Sequence, residues 1–285
     1  MNQNVLITGA SRGLGAAMAR AFWEAGASLE LVARNGQALK DLILKLGTRQ
    51  EQTAHAIACD LASPESVEVI MNSTHEHFDH LDVLINNAAI QGPIGPSWEN
   101  DWADWRQALE VNLLTPNDLS RRCTAWMIPQ KRGKIICLSG GGATNSRPNF
   151  SAYAVAKTGL VRFCEILADE LREYNIQVNC VAPGVMVTGL TDEIIKAGPE
   201  LAGQKEYDSA VKRKKQPENA LPDRATQLAL FLASSDSDGL TGKLISATWD
   251  PWESLPDHLE DLEKSDIYTL RRVVPKDRGK EWGVS

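Results

Sequence analysis

Cysteine is scarce and shows no pairing pattern. The 285 residues hold five, Cys59, Cys123, Cys137, Cys164 and Cys180, an odd number with no Cys-x-x-Cys. Such a set reads as small buried hydrophobes rather than a disulfide framework, and favours a reducing, cytoplasmic compartment. Positive charge is also short. Thirty Lys and Arg stand against 37 Asp and Glu, a net charge of −7, which argues against nucleic acid as the main partner. No long apolar run is present. The longest uncharged stretch, Tyr174 to Thr191, is broken by Asn175, Gln177, Asn179, Pro183 and Gly184. It reads as a strand entering a turn, not a membrane span. The first residues are not basic, and the apolar run after them ends at Thr8, so no signal peptide is expected. Repeats, low-complexity tracts and Pro/Gly/Ser-rich linkers are missing too. Together with 43% apolar and 24% charged residues, this predicts a globular chain organised as one domain.

What is present is an alternation. Apolar runs at Val5–Ile7, Leu29–Ala33, Ala54–Cys59, Val83–Ile85, Lys134–Leu138, Ile176–Val181 and Leu244–Ala247 predict seven strands. Helical patterns lie between them at Leu14–Ala25, Gln37–Leu46, Pro64–Phe78, Trp98–Met127, Phe150–Glu173 and Pro222–Ala233. Ser63 is the expected N-cap of the third, and a kink is expected at Pro116 in the fourth. Strands alternating with helices imply parallel pairing with right-handed crossovers, and near-continuous apolar strands imply a sheet covered on both faces. The predicted fold is α/β, a Rossmann-like, doubly wound, parallel seven-stranded sheet. The expected catalytic domain covers 1–248, with an irregular lid at 189–219 and a C-terminal extension at 249–285.

Thr8-Gly9-Ala10-Ser11-Arg12-Gly13-Leu14-Gly15 follows the first strand and opens the first helix. Gly9 permits a tight turn, Gly13 a close approach to a pyrophosphate, and Gly15 close helix–sheet packing. The helix N-terminus offers free N–H groups to phosphates. A carboxylate ending the second strand would bind a ribose 2′-hydroxyl; here Ala33 is followed by Arg34. Arg34 and Arg12 favour a 2′-phosphate, hence NADP over NAD.

Tyr153 and Lys157 are four apart on a predicted helix and so share one face. An ammonium beside the phenol is expected to lower its pKa toward the range of a general acid or base. In order along the chain stand the glycine loop, Asn86-Asn87-Ala88, Val111-Asn112, Tyr153-x-x-x-Lys157 and Pro183-Gly184. With these the sequence, from about Val5 to Ala247, resembles the short-chain dehydrogenase/reductase family. The Gly9-x-x-x-Gly13-x-Gly15 spacing resembles its short oxidoreductase branch. The resemblance implies Tyr153 as general acid/base and Lys157 on the nicotinamide ribose. It implies Asn112 as holder of a relay water and Asp60 and Leu61 as adenine contacts. Asn87 and Ala88 would lie along the cofactor. Pro183, Gly184, Met186 and Thr188 would hold the carboxamide. It further implies hydride exchange with a ketone, aldehyde or alcohol substrate, and a homodimer or homotetramer.

The chain departs from that pattern in places. Thirteen residues before Tyr153, where the family has Ser, stands Gly140; Ser139 is one residue earlier. Either Ser139 polarises the carbonyl, or the amides of Gly140, Gly141 and Gly142 form an anion nest. Ala89 replaces a common Gly, and Trp249-Asp250-Pro251-Trp252 replaces a Gly-rich end. Trp249 and Trp252 are candidates to cover the cleft or meet a neighbouring subunit. Gly140 also keeps open a non-catalytic, NADP-binding regulatory protein. A sugar-nucleotide isomerase or lyase using the cofactor transiently is the other alternative. His75, His77 and His80 do not share a helix face and read as a solvated helix end rather than a metal site. Lys212-Arg213-Lys214-Lys215 reads as a solvated lid face rather than a trap for a phosphorylated or carboxylate substrate. Trp98, Trp102 and Trp105 form a helical stripe, expected at a subunit interface.

Overall fold

All seven expected strands form, and they pair in parallel in the order β3-β2-β1-β4-β5-β6-β7. They are β1 (Asn4–Thr8), β2 (Ser28–Ala33), β3 (Ala54–Ala58), β4 (Val83–Asn86), β5 (Gly133–Leu138), β6 (Ile176–Ala182) and β7 (Leu244–Ser246). This computed structural model describes residues 2–184, 189–215 and 222–282. The helices are α1 (Gly13–Glu24), α2 (Gly36–Leu46), α3 (Ser66–His77), α4 (Trp102–Leu109), α5 (Thr115–Met127) and α6 (Ser151–Glu170). After them come α7 (Gly189–Ala202), α8 (Gln204–Lys214), α9 (Pro222–Ala233) and α10 (Leu259–Lys264).

Side-chain alternation distributes the strands between two apolar layers. Val5 and Ile7 of β1, with Ile136 and Leu138 of β5, pack under α1 and α9, against Phe22, Leu228 and Leu232. Leu6 of β1, with Ile135 and Cys137 of β5, packs under α3, α5 and α6, against Ile70, Leu119 and Leu160. Phe22 is fully buried, and such a side chain contributes about 2–3 kcal/mol. The sheet order reverses between β1 and β4, which opens a crevice above the C-terminal strand ends. No helix among the described residues is long and apolar enough to cross a membrane.

Four expectations about helices are corrected. α3 starts at Ser66, with Glu65 rather than Ser63 as N-cap. Ser63 instead closes a turn onto Asp60, and its hydroxyl bonds Glu65 at 2.7 Å. The segment from Trp98 to Met127 is not one helix. Trp98 lies outside it, and a π-helical turn at Glu110–Leu114 separates α4 from α5. Pro116 has no N–H for the carbonyl of Asn112, and the widened turn just before it absorbs that irregularity. The lid forms two helices, α7 and α8, with a kink at Gly198. Ile194, Ala202 and Ala210 of these helices close a small apolar cluster on Phe150.

The C-terminal segment is packed rather than loose. Trp252, Leu255 and Leu262 join the core beneath α9. Trp252 lies 5.3 Å from the Phe231 ring, so it covers neither the cleft nor a neighbour, while Trp249 is exposed. The buried Lys243 ammonium donates to the carbonyls of Leu262 at 2.6 Å and Ile267 at 3.1 Å. Glu165 accepts the Leu270 N–H at 2.6 Å, and the Leu244 N–H donates to Tyr268 at 2.8 Å. The segment thus lies along the outer edge of β7.

Candidate active site

A cleft of about 1230 Å³ lies above the β1/β4 switch point. It exceeds the roughly 300–1,000 Å³ usual for a drug-sized ligand. The glycine loop forms one wall. Gly9 has φ +69°, and a Cβ there would come within 2.7 Å of Ala88. A Cβ on Gly15 would meet the Asn87 amide at 2.6 Å. Asn87 holds the two segments together: its Nδ2 donates to Thr8 O at 2.9 Å and Gly9 O at 3.2 Å. The Thr8 hydroxyl accepts the N–H groups of Asn87 and Ala88, both at 3.1 Å. Gly13, at φ +55°, faces open space, and α1 has no side-chain cap on its first N–H groups.

Ser11, Arg12, Leu14, Arg34, Asp60, Leu61 and Ala88 line this cleft with the three loop glycines, Asn87 and Pro183. Arg12 and Arg34 are both exposed there. The Asp60 carboxylate accepts the Ala62 N–H at 3.1 Å. Gly184 turns the chain after β6 with φ +83°, and its Cβ position abuts Thr248. Met186 and Thr188 lie outside the described residues.

At the inner end of the same cleft stand Ser139, Tyr153 and Lys157. Continuing the alternation of β5 from Cys137 puts Ser139 on the α6 side of the sheet. Its Oγ is buried and has no hydrogen-bond partner among the described residues. The Tyr153 hydroxyl fills the space where a side chain at position 140 would go; a Cβ on Gly140 would overlap it. Lys157 Nζ donates to Leu138 O at 2.7 Å and lies 5.8 Å from the centre of the Tyr153 ring.

One electrostatic expectation changes. Burial pushes the Tyr153 phenol up to about 12, rather than down, and the charge that opposes this is Arg147, not Lys157. Burial likewise brings the Lys157 ammonium down to about 8. Low dielectric disfavours both charged forms, and the Lys157 ammonium is turned toward a carbonyl.

Asn112 is fully buried on the π-helical turn and does not line the cleft. Its amide is committed to Ile90, accepting its N–H at 2.9 Å and donating to its carbonyl at 2.8 Å. The side chain therefore anchors the segment after β4. The three histidines separate: His75 lies against Trp126, His77 against Glu30 and His55, and His80 against Asp82. The basic run is not uniformly solvated. Lys214 pairs with Asp192 at 2.5 Å, both lining the cleft, while Arg213 turns inward and is half-buried. Arg147, absent from the sequence reading, reaches the Tyr153 ring at 5.9 Å. No local pattern marks it, since it sits alone in a loop of small polar residues.

The family model for short chain dehydrogenases matches residues 3–198. The chain belongs to the short-chain dehydrogenase/reductase family. A relative, the 2-dehydro-3-deoxy-D-gluconate 5-dehydrogenase of Formosa agariphila, is 28% identical over 84% of this chain and 89% of its own length. An NAD⁺-bound xylitol dehydrogenase is 25% identical with a TM-score of 0.73, over 86% of this chain and 96% of its own. A metagenomic short-chain oxidoreductase in complex with NADP is 27% identical with a TM-score of 0.68, again over 86% and 96%. As a short-chain dehydrogenase/reductase the chain is an oxidoreductase that uses a nicotinamide cofactor and a small-molecule substrate. The residues present fit such a cofactor. The uncapped N–H groups of α1 and the open side of Gly13 suit a pyrophosphate.

Proposed function

We propose that the protein is an NADP(H)-dependent reductase interconverting a ketone or aldehyde and an alcohol. The observation that carries this reading is the convergence, in one cleft, of the uncapped glycine loop, two arginines, and the Ser139–Tyr153–Lys157 group. Nicotinamide supplies the hydride when bound. Tyr153 is protonated at neutral pH, since burial raises its pKa, and that is the state a general acid needs for reduction. Its hydroxyl delivers the proton to the nascent alkoxide. Ser139 is the carbonyl's other hydrogen-bond donor, because its buried Oγ has no partner among the described residues. Lys157 spends one N–H on Leu138 and keeps two for ribose hydroxyls. The Asn112 side chain holds Ile90, so any relay water bound there is left to its backbone carbonyl.

Arg12 and Arg34 both line the cleft, and their forks suit a 2′-phosphate. Asp60, Leu61, Asn87, Ala88, Pro183 and Gly184 complete the cofactor contacts in this reading. Residues 1–248 form the catalytic domain, and 249–285 an extension onto it. Partner chains are read as further copies: Trp98 is 84% exposed, and Trp102, stacked on Trp105 at 4.9 Å, is 64% exposed. The five free cysteines are the ground for placing the protein in a reducing cytoplasm.

The test is NADPH and NADH oxidation followed by absorbance over ketones, aldehydes, quinones and keto-sugars. Turnover with NADPH that Tyr153→Phe abolishes supports the reading. Arg12→Ala and Arg34→Ala should each raise KM for NADPH about tenfold, from roughly 1.5 kcal/mol per charge-assisted bond, and leave NADH nearly unaffected. A wild type that prefers NADH refutes the NADP assignment.

A further inference from the structure

The basic run at the end of α8 has one member turned toward the cofactor cleft. Glu206, Ala210 and Lys214 are four apart, so they share one face of α8. Glu206 pairs with Arg147 at 2.8 Å, and Ala210 is buried in the cluster on Phe150, so this face meets the body of the protein. Lys214 lines the cleft, whereas Lys212, two residues earlier, belongs to the opposite side of the helix. α7 reaches the same wall. Its first residue, Gly189, packs on the Arg12 guanidinium, whose Nη2 is 2.8 Å from the Cβ position of Gly189. Asp192, about one turn further along the same face of α7, pairs with Lys214 at 2.5 Å. Arg12, Gly189, Asp192 and Lys214 all line the cleft. Two cations thus meet adjacent turns of one helix beside the glycine loop. Lys214 is 52% and Asp192 56% exposed, and a pair so exposed to solvent contributes little to stability. It holds Lys214 at the cleft and yields readily to another anion.

We propose that Lys214 is a further contact for a phosphate of the nicotinamide cofactor, carried to the cleft by the lid and held ready there by Asp192. This rests on the cofactor half of the reading above and is independent of the reductase chemistry. A phosphate presents several acceptor oxygens, so a lysine acting as a point charge and the planar fork of Arg12 can both serve it. Asp192 competes with the phosphate for the same ammonium, and its own charge repels the phosphate. Losing either member breaks the same ion pair, yet the two losses act on cofactor affinity with opposite signs. A pair that only latched the lid would give both losses the same sign. The 2′-phosphate and the pyrophosphate share this chemistry, and the choice of nucleotide separates them.

The experiment measures Kd for NADPH and for NADH by calorimetry on the full chain, with a thermal melt of each variant to show that it folds. Wild type, Lys214→Gln, Asp192→Asn and Lys212→Gln are compared. Lys214→Gln should raise Kd for NADPH about tenfold, through loss of one charge-assisted bond. Asp192→Asn should lower it about threefold, since a competitor and a like charge are removed. Lys212→Gln makes the same change of charge on the other side of α8 and should leave Kd within about twofold. A Lys214→Gln effect confined to NADPH assigns the contact to the 2′-phosphate, and one shared with NADH assigns it to the pyrophosphate. A Kd that Lys214→Gln raises no more than Lys212→Gln does overturns the proposal and leaves the cofactor reading standing. So does an equal weakening in Asp192→Asn and Lys214→Gln, which would mark the pair as a latch alone. A wild type that binds neither nucleotide overturns the cofactor reading as well.

Discussion

Substituting Gly140 by Ala places one methyl group against the Tyr153 phenol. Gly140 does not have the left-handed backbone that only glycine adopts readily, so the change is steric alone. The obstacle is the hydroxyl end of Tyr153, whose ring is 5% exposed and fixed on α6. The phenol must move by on the order of 1 Å to restore contact distance, and a misplacement of that size can cost about 10²-fold in rate. Overpacking a filled site costs about 1–3 kcal/mol, so Tm should fall by roughly 2–4 °C for each kcal/mol in a domain of this size. The assay is kcat with NADPH beside a thermal melt, for Gly140→Ala and Gly140→Ser. Gly140→Ser restores the family's residue and should still fail, because its Cβ meets the hydroxyl first. Wild-type turnover and Tm in Gly140→Ala would refute the placement of the tyrosine.

Lys157→Met should abolish turnover yet raise Tm at pH 7, because it removes a buried ammonium. The sign follows from linkage. Lys157 has its pKa lowered to about 8 from 10.5, so the unfolded chain binds the proton more tightly between these values. The wild type is penalised fully below pH 8 and relieved as pH rises toward 10.5. The Tm gap between variant and wild type should therefore narrow over that window, and a constant gap refutes the buried charge. Asn112→Leu should lose both bonds to Ile90 and about 2–4 kcal/mol, read as a lower denaturant midpoint. Unchanged stability would show that the amide is not an anchor.

The strands were legible because a doubly covered sheet favours near-continuous apolar runs, and Val5–Ile7 or Val83–Ile85 can serve as little else. The lid helices were not legible. Ile194, Ala202 and Ala210 bury themselves on Phe150, a residue far away in sequence, and Gly198 and Pro199 disguise the periodicity. The break before Pro116 was read as a kink at the proline, whereas the helix absorbs it in the turn ahead. In the cleft, the glycine loop and the Tyr153–Lys157 pair were visible because chemistry fixes their spacing. The state of Tyr153 was not, since burial rather than the neighbouring Lys157 decides it. Arg147 became visible only when α8 carried Glu206 to it across 59 residues.

The segment along β7 has a consequence for how the sheet ends. An outer strand normally presents an open row of amides, on which another extended chain can template itself. Here the Leu244 N–H is already taken by the Tyr268 carbonyl, and Lys243 and Glu165 hold the covering segment at Leu262, Ile267 and Leu270. At the opposite margin β3 has one strand neighbour, β2. The sheet is therefore polar in its vulnerability: one margin is sealed by the segment from Leu262 to Leu270. Severing that seal would expose an adhesive edge at β7, three strands away from the β4 side of the cleft.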